Sequence, residues 1–375
     1  MTASNSHPLS PVSPPLQRAL SGRHLPALDG LRAIAVFTVI VYHFGIDSVP
    51  GDLGVSAFFV LSGFLITWLL LKEQAGSGTI SLGQFYARRT LRIFPAYYVF
   101  LLVSLAIDST RHSPWPKGLT LAGLFYFVNY FNALHGHPST TIAHAWSLAI
   151  EEQFYLLWPL ALLLLLQGGR KRAIAGLLAA ITLVLTWRSF LYLEVNIGSA
   201  YVYNAFDTRF DNLAVGCLLA LAVDQRWFRT SEALLTRSSA LPIVTLVLLL
   251  LSRSLTSPSY HYSLGYTVDA CLVAIFILQM LAFHQTTLWR WLEWPIIKYL
   301  GVISYPLYLW HAWGLSIGHH VQAAGIAGEF AVGVMVTIGL ASASYHFVER
   351  PFLLLKQRFQ RSEPRDRVTA AKASA

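Results

Sequence analysis

The sequence predicts an all-α polytopic membrane protein, and three observations predict it. Hydrophobic residues make up 55% of the 375 and charged residues 12%, about half the ~25% charge of an ordinary soluble domain. Apolar runs recur from Leu31 to Val348 with short polar breaks between them, so one membrane domain is expected rather than several globular ones. The net charge of +9 is concentrated in clusters between the runs. Cytoplasmic loops carry such clusters, which removes the nucleic-acid reading that a basic chain would otherwise invite.

In chain order, residues 1–27 are rich in Ser and Pro and lack the apolar core of a signal peptide; they read as a disordered tail. The apolar runs then fall near 31–46, 54–71, 93–108, 118–131, 147–166, 172–190, 210–224, 240–252, 266–283, 297–318 and 328–348. Eleven crossings would leave the two termini on opposite sides. Lys and Arg accumulate in cytoplasmic loops, and their distribution decides between topologies. If the short 118–131 run does not cross, 22 of the 27 Lys and Arg lie inside, whereas with all eleven crossing only 10 do. The expectation is about ten transmembrane helices plus one short non-spanning apolar segment, with both termini cytoplasmic. The membrane domain would span 28–352, and 353–375 would form a basic cytoplasmic tail carrying Lys356, Arg358, Arg361, Arg365 and Arg367. Cys217 and Cys271 lie in apolar runs without ligand spacing, and are expected to be small core residues.

The first run, LDGLRAIAVFTVIVYH over 28–43, holds the most telling pair. As a helix, the eleven steps from Arg32 to His43 rise roughly 16 Å at ~1.5 Å each, about half a bilayer's hydrocarbon core. Asp29 suits a helix N-cap with Arg32 as its ion-pair partner one turn on. His43 is a titratable group directed into the outer half of a bundle, where such groups are costly and usually functional. Neutral imidazole there serves as a general base toward a hydroxyl or as a transient acyl acceptor.

Other constellations follow. In GDLGVSAFFVLSGFLIT (51–67), Gly54 and Gly63 suit close helix packing, while Ser62 lacks the surroundings of a nucleophile elbow and reads as packing. In FYARRTLRIFPAYY (85–98), Arg88, Arg89 and Arg92 suit either anchoring at the inner face or a phosphorylated cytoplasmic ligand. HAWSLAIEEQFYLLWP (144–159) sets Glu151 and Glu152 among Trp146, Phe154, Tyr155 and Trp158; a helix-start acid can be structural, yet this setting reads as a pocket wall facing sugar or lipid. His135, His137 and His144 lack carboxylate or cysteine partners at ligand spacing, so no metal is expected. Asp207 and Asp211, four apart with Arg209 between them, place the two acids on one helix face, which fits an outer polar site or a solvated helix start. Finally, in YLGVISYPLYLWHAW (299–313), Tyr305, Tyr308 and His311 lie near one face, and a polar stripe in so apolar a run lines something.

LDGLRAIAVFTVIVYH, GVSAFFVLSGFLI, RRTLRIFPAYY, HAWSLAIEEQFYLLWP, SYPLYLWH and HFVERPF, in this order, resemble the integral-membrane acyltransferase-3 family over about residues 25–355. The resemblance implies transfer of an acyl group, commonly acetyl, from cytoplasmic acyl-CoA to a hydroxyl of an extracytoplasmic or lipid-linked carbohydrate; some relatives act on macrolides. It implies a multi-pass protein of the bacterial cytoplasmic membrane. It matches the family's first-helix arginine and histidine to Arg32 and His43, its basic pair to Arg88 and Arg89 with Arg92 adjoining, and its acid to Glu151 with Glu152 beside it. On this reading His43, Glu151 and Arg32 are catalytic, and Arg88, Arg89 and Arg92 hold acyl-CoA. Glu152, Trp146, Asp207, Arg209, Tyr305 and His311 face the acceptor. Some members carry an SGNH-type esterase domain, and this chain resembles the stand-alone form. A transporter or flippase is the competing class, against which stands the absence of paired half-repeats.

Overall fold

The computed structural model describes residues 14–22, 25–110, 115–223, 225–255, 257–321 and 325–359, and within them the chain is helical with no strand. The N-terminal half contains α1 (Pro14–Ser21), α2 (Pro26–His43), α3 (Gly51–Ser77), α4 (Leu82–Thr110), the short α5 (Leu119–Leu124) and α6 (Val128–His135), α7 (Trp146–Leu166) and α8 (Gly169–Leu193). The C-terminal half contains α9 (Ser199–Asn204), α10 (Asp211–Ala222), α11 (Arg229–Leu235), α12 (Leu241–Ser254), α13 (Pro258–Tyr260), α14 (Tyr266–Phe283), α15 (Pro295–Val302), α16 (Ser304–Gly318), α17 (Gly325–Ala343) and α18 (Arg350–Lys356).

Among the described residues, seven helical stretches are long and apolar enough to cross a membrane: Pro26–His43, Gly51–Ser77, Leu82–Thr110, Ala143–Leu166, Gly169–Leu193, Pro258–Phe283 and Gly325–Lys356. Helices α10, α12 and α16 are apolar but shorter, at 12, 14 and 15 residues. The 118–131 run resolves into α5 and α6, 6 and 8 residues long, separated by Tyr126 at φ 57°. At ~1.5 Å per residue each covers less than half of the ~30 Å of hydrocarbon, whereas α10, α12 and α16 each cover more than half.

The outward faces are apolar. Leu156, Leu157, Leu160 and Leu164 of α7 and Val244, Val247, Leu250 and Leu251 of α12 are all exposed, as helices solvated by lipid tails require. Because lipid is as apolar as leucine, burial of apolar surface does not drive these helices together; close backbone approach does. At the α3–α10 crossing, a Cβ at Gly63 would collide with the Leu213 carbonyl, and one at Gly216 with the Val60 carbonyl. Gly301 lets α15 close on the Asp29 backbone of α2 in the same way. Gly54, singled out in the sequence for packing, meets Thr38 and the Ala35 carbonyl of α2.

Four expectations change. The part of the N-terminal stretch that is described, 14–22, is ordered: α1 packs on α14, its Leu16 is fully buried, and Lys72 Nζ donates to the Ser21 and Gly22 carbonyls at 3.0 and 2.6 Å. Residues 1–13 and most of the C-terminal tail, 360–375, lie outside the described residues. Asp29 is not a cap, because α2 starts at Pro26 with Leu25 preceding it; Asp29 sits buried in the first turn, 3.4 Å from Arg32 Nη1. Cys271 is exposed on α14, whereas Cys217 is buried. Asp207 does not share a helix face with Asp211, because the chain forms a 3-10 turn over Phe206–Thr208 before α10 begins.

Candidate active site

Helices α2, α3, α4, α7 and α16 line a cavity that is partly open to its surroundings. Its polar lining comes from Arg32, Arg89, Arg92, Glu151, Glu152 and Tyr305, together with Ser62, Ser147, Tyr155, Ser304 and Tyr308. Of its three arginines, Arg32 comes from α2, while Arg89 and Arg92 lie about two and three turns into α4, which begins at Leu82. The Arg89 guanidinium lies 4.5 Å from the centre of the Tyr155 ring, a cation–π geometry that holds the charge at the wall. Glu151 is fixed through both carboxylate oxygens: Ser62 Oγ donates to one at 3.2 Å and Tyr155 Oη to the other at 3.0 Å. Ser62 is therefore a site residue and not packing. Its signal was available only across helices, since 89 residues separate it from Glu151.

Arg88 faces elsewhere. Its Nη2 donates to Glu73 Oε2 at 2.6 Å and its Nη1 to the Phe359 carbonyl at 3.0 Å, so it ties α3 to the end of the described chain and does not line the cavity. Arg32 and Arg92 line it alongside Arg89.

A second group lies beyond the cavity wall. His43, the last residue of α2, is exposed, and its Nδ1 donates to the Val39 carbonyl at 2.8 Å. That bond selects the tautomer in which Nε2 carries the lone pair. The His43 ring centre is 4.8 Å from that of His311, which is 4.5 Å from that of His144. Both of the latter are buried. His311 Nδ1 donates to the Tyr308 carbonyl at 2.6 Å, and His144 Nε2 is buried without a partner. Among the described residues no group of three or more His, Cys, Asp or Glu has the arrangement to hold a metal.

Tyr308 joins the two groups. Its ring centre lies 5.3 Å from His144 and 5.5 Å from His311, while its other side lines the cavity. The Tyr308 hydroxyl donates to the His144 carbonyl at 2.8 Å and lies 2.7 Å from Ser147 Oγ. Ser147 and Glu151 are one turn apart on α7, so the partition and the held carboxylate share a face. Tyr305, the other tyrosine of the sequence stripe, lines the cavity and donates to the Ile93 carbonyl at 3.0 Å. Ser147 escaped the sequence reading, which weighed His144 only as a metal candidate, because their neighbours come from α16, some 160 residues on.

Four further residues gather outside the cavity. Trp146 packs against Tyr203 with ring centres 4.6 Å apart, and the Arg209 guanidinium lies 5.9 Å from Trp146 and 3.7 Å from Tyr266. Asp207 is separate: Trp187 Nε1 donates to it at 2.8 Å and Tyr130 Oη at 3.2 Å. In these non-spanning segments, burial pushes the His137 imidazole below its ordinary value. Burial and then the Asp207 charge push the Tyr130 phenol up.

Residues 25–346 match the acyltransferase-3 family, described as an acyltransferase domain. The chain is 32% identical over 352 residues to "Putative O-acetyltransferase SACOL0978" of Staphylococcus aureus (strain COL), covering 88% of this chain and 57% of that protein. It is 31% identical over 353 residues to "Putative peptidoglycan O-acetyltransferase YrhL" of Bacillus subtilis (strain 168), covering 88% and 55%. It is 31% identical over 360 residues to O-acetyltransferase OatA of Staphylococcus aureus (strain NCTC 8325 / PS 47), covering 90% and 58%. The chain thus spans a little over half the length of these relatives. No solved structure matches it. With seven membrane-length helices, a charged cavity among them and a family match across nearly all of the helical region, the chain belongs to the acyltransferase-3 family of multi-pass membrane proteins.

Proposed function

We propose that this protein is a membrane O-acyltransferase that moves an acyl group, taken as acetyl, from cytoplasmic acyl-CoA to a hydroxyl of a carbohydrate. The acceptor class is a surface polysaccharide, a lipid-linked glycan or a glycoside. The observation that carries the reading is the paired arrangement: a cavity with three arginines and a held glutamate on one side of Tyr308, and His43 with a free Nε2 on the other. Arginine's forked donors suit phosphate oxygens, so Arg89 and Arg92 hold the anionic part of the donor and Arg32 positions the thioester. Transfer requires the thioester carbonyl to pass Tyr308 toward the histidines, where His43 Nε2 takes the acceptor's hydroxyl proton as its oxygen attacks that carbonyl. The C–S bond breaks and the proton ends on the departing thiol. Glu151, fixed by Ser62 and Tyr155, orients the reacting groups from the cavity side. Arg88 belongs to the support of this site, given its pairing with Glu73.

Labelled acetyl-CoA incubated with membranes holding the protein is expected to leave covalent label in a glycan or glycoside. Movement of unmodified solute with no label transferred would favour the transporter reading instead. In the same assay, Arg89→Ala with Arg92→Ala is expected to raise the apparent KM for acetyl-CoA by about tenfold to hundredfold, a net loss equivalent to one charged hydrogen bond at ~1.5–3 kcal/mol. An unchanged KM would remove the donor site from this cavity.

For the topology we propose ten crossings, the seven long helices together with α10, α12 and α16, with both termini in the cytoplasm of a bacterial cell. The charge distribution, 22 of 27 Lys and Arg inside, supports it. A reporter fused after Arg172 is expected to be cytoplasmic, and external activity of that fusion would overturn the scheme.

A further inference from the structure

Among the described residues the largest fully buried side chains are two arginines, Arg188 and Arg209, and they differ in one respect. Every nitrogen of the Arg188 guanidinium is engaged. Nε donates to the Ser263 carbonyl at 2.8 Å, Nη1 to the Thr208 carbonyl at 2.8 Å and to Asp211 Oδ2 at 2.9 Å, and Nη2 to Thr267 Oγ1 at 2.5 Å. Arg209 makes one hydrogen bond, from Nη2 to Ser56 Oγ at 3.3 Å. Its Nε and Nη1 are buried without partners. A guanidinium cannot shed its charge by losing a proton, and a buried cation without an anion is strongly unfavourable.

What surrounds it is aromatic. Tyr266 lies 3.7 Å from the guanidinium carbon, Tyr203 5.4 Å, and Phe59 and Trp146 5.9 Å each. Ring faces offset part of the charge but accept no N–H in the plane of the guanidinium. The Tyr266 hydroxyl, beside it, is also buried without a partner. The acids of the neighbourhood are committed elsewhere. Asp207 is held by Trp187, Tyr130 and Tyr201, Asp211 by Arg188 and Thr267, and Asp52 by Arg253, with His261 3.6 Å away. Tyr203 is the half-buried member of the cage, against Trp146 on one side and His137 on the other. A cation with two unused donors, flanked by flat rings of the kind on which sugars stack, is the complement of an acidic sugar.

We propose that Arg209, caged by Tyr203, Tyr266, Trp146 and Phe59, is the recognition site for a negatively charged group on the carbohydrate acceptor, so that the protein selects acidic glycans over neutral ones. This deepens the O-acyltransferase reading above and rests on the acceptor being a carbohydrate. Carboxylate and phosphate share the required chemistry. Arg209 is here a binding residue, and the ring of Tyr203 is the part of the cage that must move to admit the sugar.

The test uses the full chain in lipid nanodiscs with three probes: methyl β-glucuronide, methyl β-glucoside, and methyl β-glucoside 6-phosphate. Binding is measured by calorimetry and acyl transfer from acetyl-CoA is measured in parallel. The wild type is expected to bind at least one acidic probe tenfold or more tighter than the neutral one; which of the two it prefers separates a carboxylate site from a phosphate site. Arg209→Lys should keep part of that preference and Arg209→Gln should bring the ratio to about one. Equal affinity for acidic and neutral probes in the wild type overturns the proposal, whether or not the variants fold, and so does a ratio that Arg209→Gln leaves intact. Acidic selectivity in binding without any acyl transfer would sink the enzymatic reading and leave this one standing, whereas transfer without selectivity does the reverse.

Discussion

His43→Ala is expected to lower the rate of acyl transfer by ~10²- to 10⁴-fold, the range over which a positioned general base contributes, with little change in the apparent KM for acetyl-CoA. The split follows from position. His43 sits at the exposed end of α2, in ring contact with His311, and is not part of the cavity lining. Its Nδ1 is committed to the Val39 carbonyl, which leaves Nε2 as the basic atom, so loss of the ring removes chemistry and not donor binding. The measurement is single-turnover transfer of labelled acetyl from acetyl-CoA by purified protein in nanodiscs. Retention of wild-type turnover in folded His43→Ala protein would exclude His43 as the base. His311 is the nearest group that could then take its place, being 4.8 Å away ring to ring.

Asp211→Ala is expected to cost ~3–5 kcal/mol of stability, the penalty for leaving one member of a buried ion pair without its partner. Asp211 and Arg188 are both fully buried, 2.9 Å apart. Asp211 also accepts from Thr267 Oγ1 at 2.6 Å and from Asn212 Nδ2 at 3.1 Å. This network pins α8, α10 and α14 together directly behind the turn that carries Asp207 and Arg209. The readout is the midpoint of thermal aggregation in detergent together with the yield of monodisperse protein, and a variant that matches the wild type in both would refute the estimate. Replacing both Asp211 and Arg188 by Asn and Met is expected to be milder than the single change, because no uncompensated charge is then left inside.

Much of the candidate site was legible in the chain. Arg32, Glu151, Glu152 and Tyr305 stand out as polar residues in apolar runs and Arg89 and Arg92 as cations just before one, and all six line one cavity. Polar groups are costly in hydrocarbon, so each one present in such a run marks a place where something else meets it. The same logic misled where the partner was local to the protein. Arg88 looked equivalent to Arg89, but a step of one residue turns a side chain by about 100° around the helix, and Arg88 meets Glu73 instead. Arg188 is one of the five cations that the charge distribution leaves outside, yet it is the centre of a buried network whose partners come from two other stretches of chain, 208–211 and 263–267.

Composition, apolar periodicity and the motifs by themselves determined that this is a helical membrane protein of acyltransferase-3 type, and that its apolar runs and their edges carry cations and acids. These are properties of single segments, because hydropathy and residue type act before any segment meets another. The tertiary structure alone decided which charges are compensated and which are left open. It showed that Ser62 and Tyr155 hold Glu151, that Tyr308 and Ser147 stand between the cavity and the histidines, and that Arg209 alone of the two buried arginines keeps unpartnered nitrogens. Hydrogen-bond satisfaction depends on neighbours as far as 271 residues away in the chain, brought together by glycine-lined crossings such as Gly63 against Leu213. No spacing rule within one helix carries that information.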